Sequence, residues 1–487
     1  MRKIKVLSLL ILKYLQRYLT KFVREPHLLH SQHHLHSRRL PKLNYIYQKY
    51  KIYLLLISCF ILVIIYRREI LNRLVLNTLN EGVIGLYQEQ KLPGSVAGLL
   101  SKPLISLDKS GKYKGELLDN WQVNQNATVY TLKLKDYLFW SDGSQLISSD
   151  IKLNIPNSKV VYPDNKTLEI TLNESYSSLP TLLTSPIFKA DSLIGTGPYF
   201  ITKLEKFNEV ITKINLSPSN NRDLPNLNIR FYPDEKTTKT AFNLGEIDAI
   251  LDVSETRDFL NQPSVDQINI PVTSKIVAIF YNTKDPTLSD RNLRKSLNSA
   301  TARVEGEARS LTSISTFSWV YNDALKDNLA NPDLAHDYLN KFLQNSKLQN
   351  ISLITTPNLS ILGEKIIRSW KEIGISSVLR VESGIPQNFQ ALLITADLPP
   401  DPDQYLLWHS SQTLTNLSKL ASPRIDRDIE DARKSNDSEF RRERYLDFQK
   451  SLLDEMPATF LYFPKTNVIY RKKIKNLLEK VLPLQNL

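Results

Sequence analysis

Apolar and polar residues alternate through TVYTLKLK (128–135) and TLEITLN (167–173), the period-two signature of strands with one buried face. Further on, ISLITT (351–356) is a short apolar strand. Leu362, Ile366, Trp370 and Ile373 then fall on one face of a helix that ends at Gly374, and ISSVLRVE (375–382) reads as the next strand. Strand, helix and strand in that order predict a right-handed crossover and a parallel pair. IVAIFY (276–281) and ALLIT (391–395) add two strands to the same α/β lobe. NDSEFRRERYLDFQKSLLDEMP (436–457) supplies an Asn/Asp cap, an apolar stripe of Tyr445, Phe448 and Leu452, and Pro457 as a stop. Before residue 272 the pattern is richer in strands, so the two halves predict two lobes.

A different pattern precedes these elements. Residues 52–66, IYLLLISCFILVIIY, carry no charge and are bracketed by Lys49 and Lys51 before and Arg67 and Arg68 after. Fifteen residues at about 1.5 Å reach about 22 Å, short of the ~30 Å hydrocarbon core, but Lys and Arg heads and the interfacial Tyr50, Tyr53 and Tyr66 extend the span. The segment reads as one transmembrane helix, with a buried core helix as the alternative. LISC (56–59) has the look of a lipobox that would leave Cys59 acylated. Seven more apolar residues follow the cysteine, which favours an uncleaved signal anchor.

Charge changes the picture of this N-terminal part and leaves the rest nearly neutral. The chain of 487 residues has a net charge of +13, and residues 1–51 hold twelve Lys and Arg against the single acid Glu25. That asymmetry puts the N-terminus in the cytoplasm and the large C-terminal part outside a bacterial cytoplasmic membrane, in a single pass. It also removes nucleic acid as a partner, because the folded part has no basic stripe. Lys13, Arg17, Lys21 and Arg24 lie on one face of an amphipathic helix whose other face carries Ile11, Leu15, Leu19 and Phe22. Such a helix rests on anionic lipid of the inner leaflet, each basic residue adding about 1 kcal/mol. HLLHSQHHLH (27–36) holds five of the seven histidines; it reads as a solvated linker, with transition-metal binding as the alternative.

Candidate catalytic chemistry is thin. The lone cysteine rules out intramolecular disulfides and thiolate metal clusters. There is no G-x-S-x-G, H-E-x-x-H, P-loop or dinucleotide turn, and only His336 and His409 occur beyond the linker. GTGPY (195–199) lacks a Lys-Ser/Thr ending and reads as a turn entering a strand. Asp401 and Asp403 alternate with prolines, as in a rigid loop. The chain therefore reads as a non-enzyme, with no cofactor.

Five segments, in order, resemble one family. They are GKYKGELLDNWQVNQNATVYTLKLKDYLFWSDGSQLISSDI (111–151), GTGPY, AFNLGEIDAI (241–250), FYNTKDPTLSDRNLRKSLNSATAR (280–303), and the closing helices from TNLSKLASPRID to LYF (415–463). Together they are similar to the extracellular solute-binding proteins of family 5, the peptide and nickel class. The resemblance implies a two-lobed, hinged α/β ectodomain of the type II periplasmic-binding-protein kind, following the N-terminal transmembrane helix. It implies a receptor that binds an oligopeptide, a dipeptide or a related small solute between its lobes and hands it to the permease subunits of an ABC importer. The expected layout is a basic cytoplasmic segment (1–50), the anchor (51–66), a first lobe (67–272, completed by 458–487) and a second lobe (273–457).

Ligands of open α/β sheets bind beyond the carboxyl ends of strands, which points to Tyr281 and Asn282 after one strand and to Thr395, Ala396 and Asp397 after another. In the peptide-binding members of the family an Asp pairs with the peptide α-ammonium, and TADLPPDPDQYLLWHSS (395–411) puts Asp397 at that position. Trp408 and His409 are candidates for a side-chain pocket, with core packing the alternative for the Trp. Two departures bear on cleft size: the chain passes from Asp150 almost directly to the next strand, without the family's helical insertion, and the segment before Asp397 is compressed. They sustain an alternative reading, an envelope structural or interaction protein that keeps the fold without a ligand.

Overall fold

The structure, a computed structural model, describes residues 77–485 apart from 109, 110, 222, 255 and 260. The basic segment, the anchor at 51–66, Cys59 and the His-rich linker lie outside the described residues. Among the described residues no helix is long and apolar enough to cross a membrane.

Two large sheets organise two lobes. The first sheet runs, edge to edge, through Val265–Pro271, Lys465–Arg471, Ala249–Val253, Thr78–Ile84, Asn226–Tyr232, Val210–Pro218 and Tyr199–Phe207. At its centre Thr78–Ile84 pairs in parallel with both Asn226–Tyr232 and Ala249–Val253. Leu79, Tyr199, Ile214, Leu227, Leu251 and Val468 fill one core on it. The GTGPY segment is indeed a turn entering a strand. A Cβ on Gly197 would stand 2.4 Å from the Leu99 carbonyl oxygen, so only glycine lets this turn lie against the end of helix Gly94–Leu100.

Inserted in this lobe is a four-stranded antiparallel sheet of Leu118–Val123, Val129–Leu134, Thr167–Leu172 and Ser158–Asp164, which contains both alternating stretches. Tyr130, Leu132, Leu168 and Ile170 supply its buried face. The WSDG turn closes beside it. Gly143 takes φ +83°, Asp142 Oδ1 accepts from the Ser144 amide at 2.9 Å, and the indole of buried Trp140 donates to Asp150 Oδ2 at 3.2 Å. The two ends of the motif thus hold each other, while Phe139 stays exposed.

The second sheet orders Ala308–Arg309, Ala458–Phe463, Lys275–Tyr281, Ala391–Asp397, Ile351–Thr355 and Ser377–Val381. KIVAIFY is apolar almost throughout because both faces are covered: Ile276, Ala278 and Phe280 enter one core, Val277, Ile279 and Tyr281 the other. The crossover unit forms as expected, with Ile351–Thr355 and Ser377–Val381 parallel and joined by helix Ser360–Glu372. The closing helix spans Ser438–Glu455, its Asp437 cap accepting from the Glu439 and Phe440 amides.

One boundary differs from the sequence reading. Ala458–Phe463, expected in the first lobe, pairs with Lys275–Tyr281 and Ala308–Arg309 in the second sheet. Pro457 stops a helix without ending a lobe, and ATFLYF is apolar on both faces, as a central strand requires. The sheets change at Pro464, whose carbonyl accepts from the Val272 amide at 2.8 Å, so the two crossing segments run side by side.

Candidate ligand-binding cleft

Strand direction decides which residues can meet between the lobes. In the first lobe the parallel strands Thr78–Ile84 and Ala249–Val253 both finish at a cavity of about 330 Å³, lined there by Val83, Ile84, Leu251 and Asp252. Its remaining walls include Tyr87 and Ser95 and, from the crossing segments, Val272, Ser274, Lys275 and Thr466. In the second lobe Ala391–Asp397 runs parallel to Ile351–Thr355 and antiparallel to Lys275–Tyr281. Asp397 therefore stands opposite Lys275, and the Leu398 amide donates to the Ser274 carbonyl at 2.7 Å. The first-lobe strands thus end at this cavity, and Asp397, at the carboxyl end of its strand, lies beside Lys275 in its wall; the carboxyl ends of strands are where open α/β sheets hold their ligands. A larger hollow of about 430 Å³ around Asp142 and Phe200 has walls from the first lobe alone.

The sequence-predicted residues separate accordingly. Thr395 and Asp397 are exposed and Ala396 is half-buried, all at the cleft end of the sheet. The Asp397 side chain has no hydrogen-bonding or ion-pair partner among the described residues. Tyr281 and Asn282 lie at the other end, because their strand runs the opposite way; six steps of about 3.3 Å put Tyr281 about 20 Å from the cleft end. Tyr281 is fully buried with its hydroxyl 2.7 Å from Thr459 Oγ1, and Asn282 donates to the Phe389 carbonyl at 2.9 Å. Both are architectural.

Trp408 also belongs to the core. It stacks on Phe280 at 5.9 Å, meets Phe460 edge-on, and donates its indole N–H to Ser313 Oγ at 2.9 Å. His409 stacks on Tyr405 at 4.1 Å, and its two ring nitrogens lie 2.8 Å from Ser411 Oγ and 3.0 Å from Glu430 Oε1, an arrangement that fixes a loop.

Sequence reasoning missed Tyr87, Asp252, Lys275 and Thr466. Applying the strand-end rule to AILDV (249–253) would have found Asp252. Its Oδ1 accepts from Thr466 Oγ1 at 2.6 Å, and the same carboxylate, after burial itself, pushes the Tyr87 phenol above its ordinary range. Lys275 makes no ion pair with any described residue. Among the described residues no group of three His, Cys, Asp or Glu is placed to hold a metal ion.

A buried polar contact also joins the lobes. Buried Asp401, on the second lobe, accepts from Arg441 Nη2 at 2.9 Å, and from Ser178 Oγ at 2.8 Å and Tyr113 Oη at 2.9 Å on the first. The Arg433 guanidinium lies over the rings of Tyr176 at 4.7 Å and Tyr405 at 4.3 Å. The alternation of acids and prolines here marks a rigid loop, and its acids are structural partners.

The comparisons agree with this architecture. Residues 112–415 match the family model of the bacterial extracellular solute-binding proteins, family 5 (middle). The oligopeptide-binding protein AppA of Bacillus subtilis is 20% identical over 81% of this chain and 87% of its own. A probable peptide ABC transporter periplasmic-binding protein of Sinorhizobium fredii is 23% identical, but the match spans only 41% of this chain and 45% of that protein. The crystal structure of the ABC transporter substrate-binding protein CtaP of Listeria monocytogenes superposes with a TM-score of 0.68 at 20% identity, over 81% of this chain and 94% of that one. With the family model covering more than half of its residues, and with two lobes meeting at a strand-end cleft, the chain belongs to family 5 of the bacterial extracellular solute-binding proteins.

Proposed function

We propose that the protein is the substrate-binding receptor of an ABC importer, taking a short peptide or a similar small solute into the interlobe cleft and delivering it to membrane permease subunits. The observation that carries this reading is a cavity walled by the first-lobe strand ends and by Lys275, with Asp397 directly opposite Lys275 on the adjoining strand of the second sheet. Asp397, whose exposed side chain has no partner among the described residues, anchors the ligand α-ammonium through a charge-assisted bond of about 1.5–3 kcal/mol. A cavity of about 330 Å³ lies at the small end of the roughly 300–1,000 Å³ of ligand sites, which favours a di- or tripeptide over a long peptide. The similarity to an oligopeptide-binding protein supports the peptide class.

The apolar run at 52–66 and the basic residues before it support tethering to the outer face of the cytoplasmic membrane, with the N-terminus inside and its amphipathic segment on anionic lipid. Thermal denaturation of the full-length protein with mixtures of short peptides tests the receptor reading. A ligand present well above its Kd raises the midpoint by mass action. A folded protein with no shift at millimolar peptide would favour the alternative of an envelope protein that keeps the fold without a ligand.

A further inference from the structure

We infer that Asp252 selects a ligand with a second positive charge, so that the cleft prefers short peptides carrying a basic side chain. This rests on the peptide-receptor reading and adds to it a residue, and a ligand class, beyond the α-ammonium anchor. The strand Ala249–Val253 breaks register with Lys465–Arg471 between Ile250 and Val253, and within that bulge Asp252 takes φ +60°, a left-handed conformation that costs a non-glycine residue energy. Its neighbours in the strand, Leu251 and Val253, are buried, whereas Asp252 is exposed at the cavity wall. Thr466 Oγ1 bonds one carboxylate oxygen, and Asn467 Nδ2 holds the Val253 carbonyl at 2.8 Å, so the bulge is pinned from the neighbouring strand. Bulges of this kind re-aim a side chain, here into the cleft.

The charges then count. Among the described residues, Asp252 is the one carboxylate and Lys275 the one ammonium in the cavity wall, and Asp397 stands opposite Lys275 on the adjoining strand. A zwitterionic peptide with its ammonium on Asp397 and its carboxylate on Lys275 leaves Asp252 unmatched. A Lys or Arg side chain, or another primary amine, fills that place.

The test uses full-length protein and two dipeptide sets that differ only in charge, one containing lysine and one its uncharged isostere norleucine, with affinities measured by calorimetry. The lysine set is expected to bind about tenfold more tightly. Asp252→Asn, which keeps size and the Thr466 bond, should erase that difference, while Asp397→Ala weakens both sets together. Equal binding of the two sets by the unaltered protein, or a preference that survives Asp252→Asn, overturns the inference while leaving the receptor reading intact. Binding of neither set overturns both.

Discussion

Arg441 donates to Asp401 across 2.9 Å in a seam where the carboxylate is only 2% exposed, and Tyr113 and Ser178 reach the same carboxylate from the other lobe. The pair belongs to one lobe and its hydroxyl partners to the other, so the seam both ties elements of the second lobe together and joins the two lobes. Arg441→Met leaves a buried carboxylate without its cation and should lower stability by about 3–5 kcal/mol. Tyr113→Phe removes one neutral donor to a charged group and should cost about 1.5–3 kcal/mol. Urea denaturation of the two variants and their combination checks this; strictly additive losses would contradict a shared network.

Glu81 gives the fold a pH dependence. It is wholly buried on the central strand Thr78–Ile84, and burial pushes its carboxyl from the ordinary 4.5 up to about 7, only partly offset by the bond from Gln485 Nε2 at 2.7 Å. The unfolded chain gives up this proton near 4.5 while the folded chain keeps it to about 7. Stability therefore falls as pH rises through that window, by about 3 kcal/mol in all. Glu81→Gln should flatten the loss, measured as denaturation midpoints at pH 5 and pH 8.

Trp408→Ala should destabilise the second lobe by about 3–5 kcal/mol while the protein that remains folded keeps its ligand affinity, because the indole packs among Phe280, Phe460 and Ser313. Tyr281→Phe should likewise leave affinity unchanged. Weaker ligand binding by fully folded Tyr281→Phe would return that residue to the site.

Gly197→Ala places a methyl group against the Leu99 and Leu100 backbone, both within 2.4 Å of it, and neither can yield as a flexible side chain would. The turn must move, at about 1–3 kcal/mol or more. Thermal denaturation with an unchanged midpoint would contradict this packing.

How much of this was legible depends on what a hydrophobic pattern encodes. The crossover at 351–382 and the alternating strands of the inserted sheet could be read because their periods differ and their ends carry glycine or polar turns. IVAIFY was equally clear as a strand, but a run apolar on both faces reads the same in either direction, and only its pairing with Ala391–Asp397 shows that Tyr281 ends away from the cleft. Asp252 was hidden for a related reason: a bulge leaves no mark in period two, and an acid next to leucine and valine looks like an ordinary outward position. Pro457 announces a helix end, whereas a lobe boundary depends on long-range pairing that no local signal carries.

Native mass spectrometry of the full-length protein with a mixture of di- to pentapeptides tests the receptor reading most directly. A one-to-one peptide adduct is expected, which Asp397→Ala abolishes or strongly reduces in a protein that stays folded. A folded wild-type protein that takes up no peptide, or an adduct indifferent to Asp397→Ala, would contradict it.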